Sequence, residues 1–347
     1  MAEGLGRTEF SEEELVWLAG YRAHPTPLSV GHPDWRGIRS SASQLFDQLY
    51  FLQDDLDESS GRHYARLFAE AGCPAVVIQG FPRTFRFLVS ALEAVVPSIP
   101  VYLIWHGNFM QAQQDYAWAA FQLVVQLARE GKIAKLGFVK KGMAEVVAAH
   151  GLSTGFVMNR VRQIPLAPSR PLPDGPHFGI WNIIESWQKP PFAMIAAVST
   201  IPGAVLHSSA VGPRVQEALE FWQVERGQLI DGPIDREDMP ARLASMHVNL
   251  NVTLSECAPM VPLESLSLGV PSLLGPTSHY FEDHDYLHSR LVVPSPDSAW
   301  KISKFIERAL EERTEIVEAY RAYAPGYNER AAAALEAFLG MPAGRND

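Results

Sequence analysis

Residues 247–271 read HVNLNVTLSECAPMVPLESLSLGVP and form the most informative segment of the sequence. The run 247–251 predicts a buried strand that delivers Glu256 into a short loop. Pro262 suits the first turn of a following helix, which places Glu264 in that turn as well. Both carboxylates are then expected beside a helix N-terminus, whose free N–H groups favour an anionic phosphate.

Apolar runs of four or five residues alternate with helical stretches on both sides of this segment. Strands are predicted at 27–31, 75–78, 101–105, 136–139, 156–158, 177–181, 203–207, 227–231, 247–251, 271–274 and 290–293. A helical pattern also covers 42–50. Continuous apolar runs are typical of parallel strands that helices cover on both faces. The alternation therefore predicts an α/β protein with doubly wound sheets.

A proline-rich segment at 164–176 interrupts this alternation. Its five prolines in thirteen residues are incompatible with a helix interior or a central strand, so we interpret it as an interdomain linker. The chain then divides into a first α/β domain at 1–165, a second at 166–313 and a helical tail at 314–347. The tail is expected to pack on the first domain.

Charge and cysteine content narrow the partners. The 29 basic and 39 acidic residues give a net charge of −10, which argues against nucleic acid as a partner without excluding it. Cys73 and Cys257 are too few for a disulfide framework or a four-cysteine zinc site, which indicates a reducing, cytoplasmic setting. The chain opens without a signal-peptide pattern, and no apolar run predicts a spanning helix. We expect at most peripheral membrane contact.

The spacing of the two acids carries a family resemblance. Seven residues separate Glu256 from Glu264, and Gly269-Val270-Pro271 follows. This pattern resembles the retaining glycosyltransferases of the GT-B fold, family 4 in particular. The resemblance implies two Rossmann-like domains that face a central cleft, with C-terminal helices crossing back to the first domain. It also implies that the first domain binds the acceptor and the second binds a nucleotide-sugar.

The same resemblance implies roles for individual residues. His106 after a predicted strand, Glu256 and Lys189 take the catalytic positions. The residues expected to bind the donor are Gly37, Gly179, Pro233, Ile234, Ala258, Met260, Val261 and Glu264. No metal ion and no other cofactor is implied, because cations and helix dipoles of this fold neutralise the leaving diphosphate.

The sequence departs from the family pattern at two places. The loop between the acids has Ala258-Pro-Met-Val-Pro262 where the family is glycine-rich, and prolines cannot donate hydrogen bonds. Ile180 stands where the family places a diphosphate-binding arginine. Lys189 is one candidate for that contact, and Arg36 or Arg39 is a candidate for a second cation.

The predicted function is transfer of a sugar from a nucleotide-diphosphate donor to an acceptor hydroxyl on a glycan, a lipid-linked molecule or another small molecule. Retention of configuration and independence from metal are expected from the resemblance. His279, His284 and His288 superficially resemble a metal cluster, but no helical pattern supports one. The sequence leaves the sugar, the nucleobase, the acceptor and the stereochemistry open.

Three alternatives stay open at this stage. The chain could be a nucleotide-sugar epimerase or phosphorylase on the same fold, or could transfer a sugar to a modified DNA base, as some phage enzymes do. It could also be a non-catalytic nucleotide-sugar-binding module, which the absence of an arginine at Ile180 favours.

Overall fold

In a computed structural model, the chain divides into two units. The described residues are 10–161, 171–181, 186–209, 211–230, 232 and 234–340. The first unit contains the residues up to Val157 together with those from Ala334 onward, and the second unit is Met158–Ala333. The predicted domain boundary at 165 and most of the linker at 164–176 lie outside the described residues.

The first unit is built around one parallel sheet. Its elements are α1 (Glu12–Ala23), β1 (Leu28–Gly31), α2 (Arg36–Leu45), β2 (Gln48–Phe51), α3 (Glu58–Ala71), β3 (Val76–Gln79), α4 (Phe85–Val95), β4 (Val101–Trp105), a 3-10 helix (Phe109–Gln113), α5 (Asp115–Arg129), β5 (Lys135–Phe138), α6 (Met143–Ala148) and β6 (Thr154–Phe156). The six strands lie in the order β2-β1-β3-β4-β5-β6. All neighbours in this sheet are parallel.

The central strands of this sheet are buried on both faces. Val76, Val77 and Ile78 of β3 are each fully buried, which explains the unbroken apolar run in the sequence. The chain winds outward in one direction through β2 and in the other through β3 to β6. The order therefore reverses between β1 and β3, and such a switch point opens a crevice at the carboxyl ends of the strands.

The second unit repeats this architecture. Its elements are β7 (His177–Ile180), α7 (Phe192–Val198), β8 (Val205–Ser208), α8 (Pro213–Phe221), β9 (Glu225–Leu229), α9 (Met239–Ala244), β10 (Val248–Asn251), α10 (Met260–Ser267), β11 (Ser272–Leu274), α11 (Asp285–Leu291), α12 (Ala299–Glu311) and α13 (Arg313–Leu339). Its five parallel strands lie in the order β11-β10-β7-β8-β9. The switch point is therefore between β7 and β10.

The last helix, α13, contributes to both units. It is 27 residues long and contains Pro325. Near its end, the Phe338 ring lies so close to Gly137 that a side chain there would crowd it. The hydroxyl of Tyr102 donates to the carbonyl of Leu339 at 3.0 Å. These contacts attach the final turns of α13 to the sheet of the first unit.

The predicted fold class, two doubly wound α/β domains, is confirmed, while two local predictions were wrong. The helix predicted at 42–50 ends at Leu45, and Gln48–Phe51 pairs with β1 as an edge strand. The helical spacing of apolar residues runs through this connection and conceals the strand. The strand predicted at 290–293 is the end of α11, and Val292 forms only an isolated bridge with Leu274.

Candidate functional site

The switch point of the second unit brings together two of the predicted site residues. Lys189 follows β7 and Glu256 follows β10, and these strands are neighbours. The Lys189 Nζ lies 2.5 Å from Glu256 Oε1. The lysine side chain is 39% exposed and the glutamate 17% exposed, so the pair is reachable from solvent. An exposed pair contributes only about 0–1 kcal/mol to folding, so it can separate when another charged group arrives.

Backbone hydrogen bonds fix the loops that carry this pair. The carbonyl of Gln188 accepts from the N–H of Leu254 at 2.8 Å and from that of Ser255 at 3.3 Å. The N–H of Glu256 donates to Thr277 Oγ1 at 2.9 Å. The loops after β7, β10 and β11 are therefore joined by hydrogen bonds around the ion pair, which holds the lysine next to the glutamate.

Helix α10 begins beside this loop. Pro259 is its N-cap and Met260 its first residue, so Glu264 lies in the second turn rather than in the first turn that the sequence predicted. The helix begins two residues before Pro262, because a proline is tolerated anywhere among the first orphan N–H positions. Of those positions, Met260 and Val261 still carry N–H groups without intrahelical acceptors.

The loop between Glu256 and α10 is held by a buried side chain. The carbonyl of Ala258 accepts a hydrogen bond from Asn159 Nδ2 at 2.7 Å, and both residues are buried. Met260 is buried too, whereas Val261 and Glu264 are half-buried. Val261 and Glu264 are therefore the partly exposed side chains in the first two turns of α10.

A buried polar network holds α10 against the sheet. Trp181 Nε1 donates to Asn249 Oδ1 at 2.6 Å, and Asn249 Nδ2 donates to Ser265 Oγ at 2.8 Å. The Ser265 hydroxyl donates onward to the carbonyl of Val270 at 2.8 Å. Gly179 lies beneath this network, because the Trp181 indole and the Asn249 amide occupy the space of a side chain there. The network fixes Glu264, one residue before Ser265, relative to β7.

An apolar niche surrounds the same tryptophan. Ile230, Ile234, Met239 and Val261 are partly buried and pack on the cluster that contains Trp181. These residues come from the end of β9, the following loop and the first turns of α9 and α10. The predicted donor residue Pro233 lies outside the described residues.

The loop after β11 adds a buried phenol. Tyr280 is 1% exposed, and its hydroxyl has no hydrogen-bond partner of acceptable geometry among the described residues. Burial, then the neighbouring Tyr320 and the carboxylate of Glu256, raise the pKa of Tyr280 well above its ordinary value, so the phenol stays protonated. Phe281, directly after it, has a φ of 63°, a left-handed conformation that is strained for an aromatic residue.

The first unit carries its own polar site at the carboxyl ends of its strands. His106 follows β4, and its Nε2 lies 2.9 Å from Oε1 of Gln79 at the end of β3. His106 is half-buried, and desolvation of its imidazole lowers its pKa to about 3. The imidazole is therefore neutral over the whole physiological range.

The remaining predicted residues are placed as follows. Gly37 lies in the first turn of α2, is exposed, and has open space where a side chain would point. Ile180 is fully buried as the last residue of β7. Arg36 and Arg39 lie in the same first turn of α2 as Gly37.

Two of the three histidines at 279, 284 and 288 have separate local contacts. His279 Nε2 lies 3.1 Å from the Tyr327 hydroxyl, and His284 caps α11 by accepting from the N–H of Leu287. Among the residues that the structure describes, no group of three or more His, Cys, Asp or Glu is arranged to hold a metal ion. Within the same residues, no helix has both the length and the apolar character needed to span a membrane.

Sequence reasoning missed the residues that hold the site together. Asn249 and Gln79 are polar residues within otherwise apolar strands. A buried amide needs a hydrogen-bond partner, so these two residues could have been predicted to form buried hydrogen bonds. Thr277 gave no signal, because its contact with Glu256 depends on a pairing of loops 21 residues apart in sequence.

Comparison with known proteins identifies the fold. No protein-family model matches the sequence, and no curated protein matches it significantly. HepE from Anabaena, in complex with UDP and glucose, superimposes with a TM-score of 0.63 at 13% identity, over 94% of this chain and 96% of its own. An E. coli trehalose-6-phosphate structure bound with UDP-2-fluoro glucose gives 0.62 at 12% identity, over 91% and 98%.

A third structure of similar fold is an α,α-trehalose-phosphate synthase (UDP-forming) from Burkholderia xenovorans in complex with glucose-6-phosphate. Its TM-score is 0.58 at 13% identity, over 95% of this chain and 85% of its own. In each case the match extends over most of both chains. The chain therefore has the two-domain, Rossmann-like GT-B fold that the sequence predicted.

Proposed function

We propose that the protein is a glycosyltransferase that moves a sugar from a nucleotide-diphosphate donor to an acceptor hydroxyl. The observation that carries this proposal is the Lys189–Glu256 pair at the β7/β10 switch point, beside the N-terminus of α10. A cation, a helix N-terminus and a carboxylate at the place where open α/β sheets bind nucleotides match a sugar joined to a diphosphate. The structures of similar fold that contain UDP, glucose or glucose-6-phosphate support this assignment.

The diphosphate is assigned to Lys189 and the start of α10. Its charge replaces that of Glu256 as the partner of Lys189, while the N–H groups of Met260 and Val261 donate to phosphate oxygens. The bond from Asn159 to Ala258 supports this loop. These groups stabilise the charge that develops on the leaving diphosphate, which is the largest electrostatic change in the reaction.

The nucleoside is assigned to the apolar niche and Glu264. The partly buried side chains of Ile234 and Val261 beside Trp181 provide an apolar face for a nucleobase. Glu264 is three residues beyond Val261, so the two lie on the same face of α10. A ribose between the base and the diphosphate would place its hydroxyls against the Glu264 carboxylate, which accepts two hydrogen bonds.

The reaction is proposed to proceed with retention. Once it is separated from Lys189, the Glu256 carboxylate accepts a hydrogen bond from a hydroxyl group of the transferred sugar. A general base works best with a pKa near the working pH, and the pKa of about 3 makes His106 a poor one. The leaving phosphate then takes the acceptor proton, and no dedicated base is needed.

The glycines are proposed to serve the donor by different means. Gly179 admits the Trp181–Asn249 contact that positions α10, and a side chain there would break it. Gly37 leaves the first turn of α2 open, which lets a phosphate or sugar approach its backbone. The acceptor is proposed to be a carbohydrate or lipid-linked hydroxyl compound, encountered in the cytoplasm.

A non-catalytic nucleotide-sugar-binding module is the second candidate. Ile180 supports this candidate, because a buried aliphatic residue stands where the glycosyltransferases of family 4 have an arginine for the diphosphate. A thermal-shift screen of nucleoside diphosphates and nucleotide-sugars tests the site that both candidates share. At one hundred times its dissociation constant, a bound nucleotide adds about 2.7 kcal/mol to the free energy of unfolding. Absence of any nucleotide-dependent shift would contradict both candidates.

Replacing Glu264 with glutamine should weaken nucleotide binding without disturbing the fold. The side chain is half-buried and keeps its size, but an amide accepts hydrogen bonds at one oxygen only. Loss of one charge-assisted hydrogen bond costs about 1.5–3 kcal/mol, or roughly 10- to 150-fold in affinity. Calorimetric titration with the nucleoside diphosphate measures it. Glu311→Gln, on the exposed end of α12, is the matched control, and equal affinity in both variants would remove Glu264 from the site.

Transfer should continue in the presence of a chelator. The proposed site neutralises the diphosphate with Lys189 and the N–H groups of α10. Initial rates are compared with and without excess EDTA, after dialysis against the chelator. Loss of transfer in EDTA that magnesium or manganese restores would contradict the metal-independent part of the proposal.

A further inference from the structure

Gln79 occupies an unusual position for an amide side chain. It is the last residue of β3, at the β1/β3 switch point of the first unit, and it is fully buried. Its Oε1 lies 2.9 Å from His106 Nε2. Its Nε2 has no hydrogen-bond partner among the described residues. A buried amide with an unpaired nitrogen costs free energy, so a strand of this kind favours an apolar residue unless the amide has a function.

The contact with Gln79 determines which nitrogen of His106 carries the proton. With the Gln79 amide in this orientation, its carbonyl oxygen Oε1 faces the imidazole and can only accept, which assigns Nε2 of His106 as the donor. Burial lowers the pKa of His106 to about 3, so the ring carries one proton and not two. Nδ1 is then unprotonated, and an unprotonated imidazole nitrogen can only accept a hydrogen bond.

We propose that Gln79 is a positioning residue that fixes His106 as its Nε2–H tautomer and directs Nδ1 toward a substrate hydroxyl. His106 then binds and orients that hydroxyl as an acceptor. This inference rests on the proposed function, which supplies the hydroxyl-bearing substrate.

The geometry also explains why a glutamine and not an acid stands at position 79. A carboxylate facing Nε2 would favour the protonated imidazole and raise the pKa of His106. Protonation would place a hydrogen on Nδ1 and convert it from an acceptor into a donor. A neutral amide keeps the tautomer without adding charge.

The tautomer is measured by NMR of protein labelled with ¹⁵N in its histidines. The chain contains 11 histidines, so the variant His106→Asn identifies the His106 signals by their loss. We expect a protonated Nε2 and an unprotonated Nδ1, unchanged from pH 8 down to pH 5. An Nδ1–H tautomer, as a reversed amide of Gln79 would require, or a titration between pH 6 and 7 would overturn the inference.

Variants of Gln79 connect the tautomer to the reaction. Gln79→Leu should release the fixed tautomer and lower kcat up to about tenfold, the effect of one neutral hydrogen bond, with nucleotide affinity unchanged. Gln79→Glu should add an ionisation of His106 to the pH–rate profile. Gln126→Leu, on the exposed face of α5, should change neither quantity.

The outcomes separate this inference from the proposed function. If Gln79→Leu leaves kcat and the His106 signals unchanged while the wild type transfers sugar, the inference fails alone. If the wild type binds no nucleotide, the proposed function fails and this inference fails with it. Unfolding of Gln79→Leu by denaturant checks whether this variant folds. If Gln79→Leu is unstable, the NMR spectrum of Gln79→Glu provides the second test.

Discussion

Replacing Lys189 with methionine should lower the transfer rate by roughly 10²–10³-fold, the effect of removing one preorganised group that stabilises developing charge. Lys189 is the cation at the switch point of the second unit, 2.5 Å from Glu256. Methionine keeps most of the unbranched aliphatic stem but cannot neutralise a leaving diphosphate. Stability should change by about 1 kcal/mol or less, because the lysine side of the pair is open to solvent.

A second lysine of the same unit provides the control. Lys304 forms an ion pair with Glu307 at 2.6 Å on α12, with a similar exposed fraction of 47%. Lys304→Met should transfer sugar at the wild-type rate. Steady-state kinetics on both variants gives the comparison, and equal rates for Lys189→Met and Lys304→Met would remove Lys189 from the reaction.

Replacing Asn249 with leucine should destabilise the second unit by about 1–3 kcal/mol, because the buried Trp181 indole N–H is left unsatisfied and the Ser265 hydroxyl keeps only its bond to the carbonyl of Val270. The affected groups are the Trp181 indole N–H and the Ser265 hydroxyl. Leucine has the same branching and number of side-chain heavy atoms as asparagine, so the loss comes from the hydrogen bonds rather than from a cavity. Denaturant unfolding measures the change.

The smaller variant Ser265→Ala separates the two branches of this network. It keeps the Trp181–Asn249 bond and removes both bonds of the Ser265 hydroxyl, the one from Asn249 and the one to the carbonyl of Val270. It should cost less than Asn249→Leu and still weaken nucleotide binding, because Glu264 is the preceding residue of α10. A free energy of unfolding unchanged in Asn249→Leu would show that the network does not hold the helix.

Much of the fold could be predicted from local pattern. The strands around Val76–Gln79 and Val101–Trp105 are unbroken apolar runs, and parallel strands buried on both faces require such runs. Edge positions were less predictable. Gln48–Phe51 pairs with only one neighbour and is partly exposed, so its sequence is not forced into a strand pattern.

The candidate site was predictable where a short segment carries it. The acids Glu256 and Glu264 and the start of α10 lie within one stretch of chain, and their spacing pointed to them. Contacts between distant segments were not predictable. The bond from Glu256 to Thr277 and that from His106 to Gln79 depend on which strands become neighbours in the sheet.

The position of Ile180 bears on how the donor is neutralised. This residue is fully buried at the end of β7, so it contributes to the core and has no charge to offer. The proposed site therefore relies on Lys189 and on the two N–H groups that α10 retains between Pro259 and Pro262 to neutralise the diphosphate. The phenol of Tyr280 in the loop after β11 is buried and stays protonated, because burial raises its pKa well above the ordinary value.

Release of nucleoside diphosphate from a panel of nucleotide-sugars, including UDP-glucose, by the wild type and by Lys189→Met tests the proposed sugar transfer directly. Sugar phosphates, including glucose-6-phosphate, are supplied as acceptors. We predict release from at least one donor by the wild type, and a rate roughly 10²–10³-fold lower in the variant. Nucleotide-sugars that bind to the wild type but are never cleaved, or cleavage that does not depend on Lys189, would contradict the account.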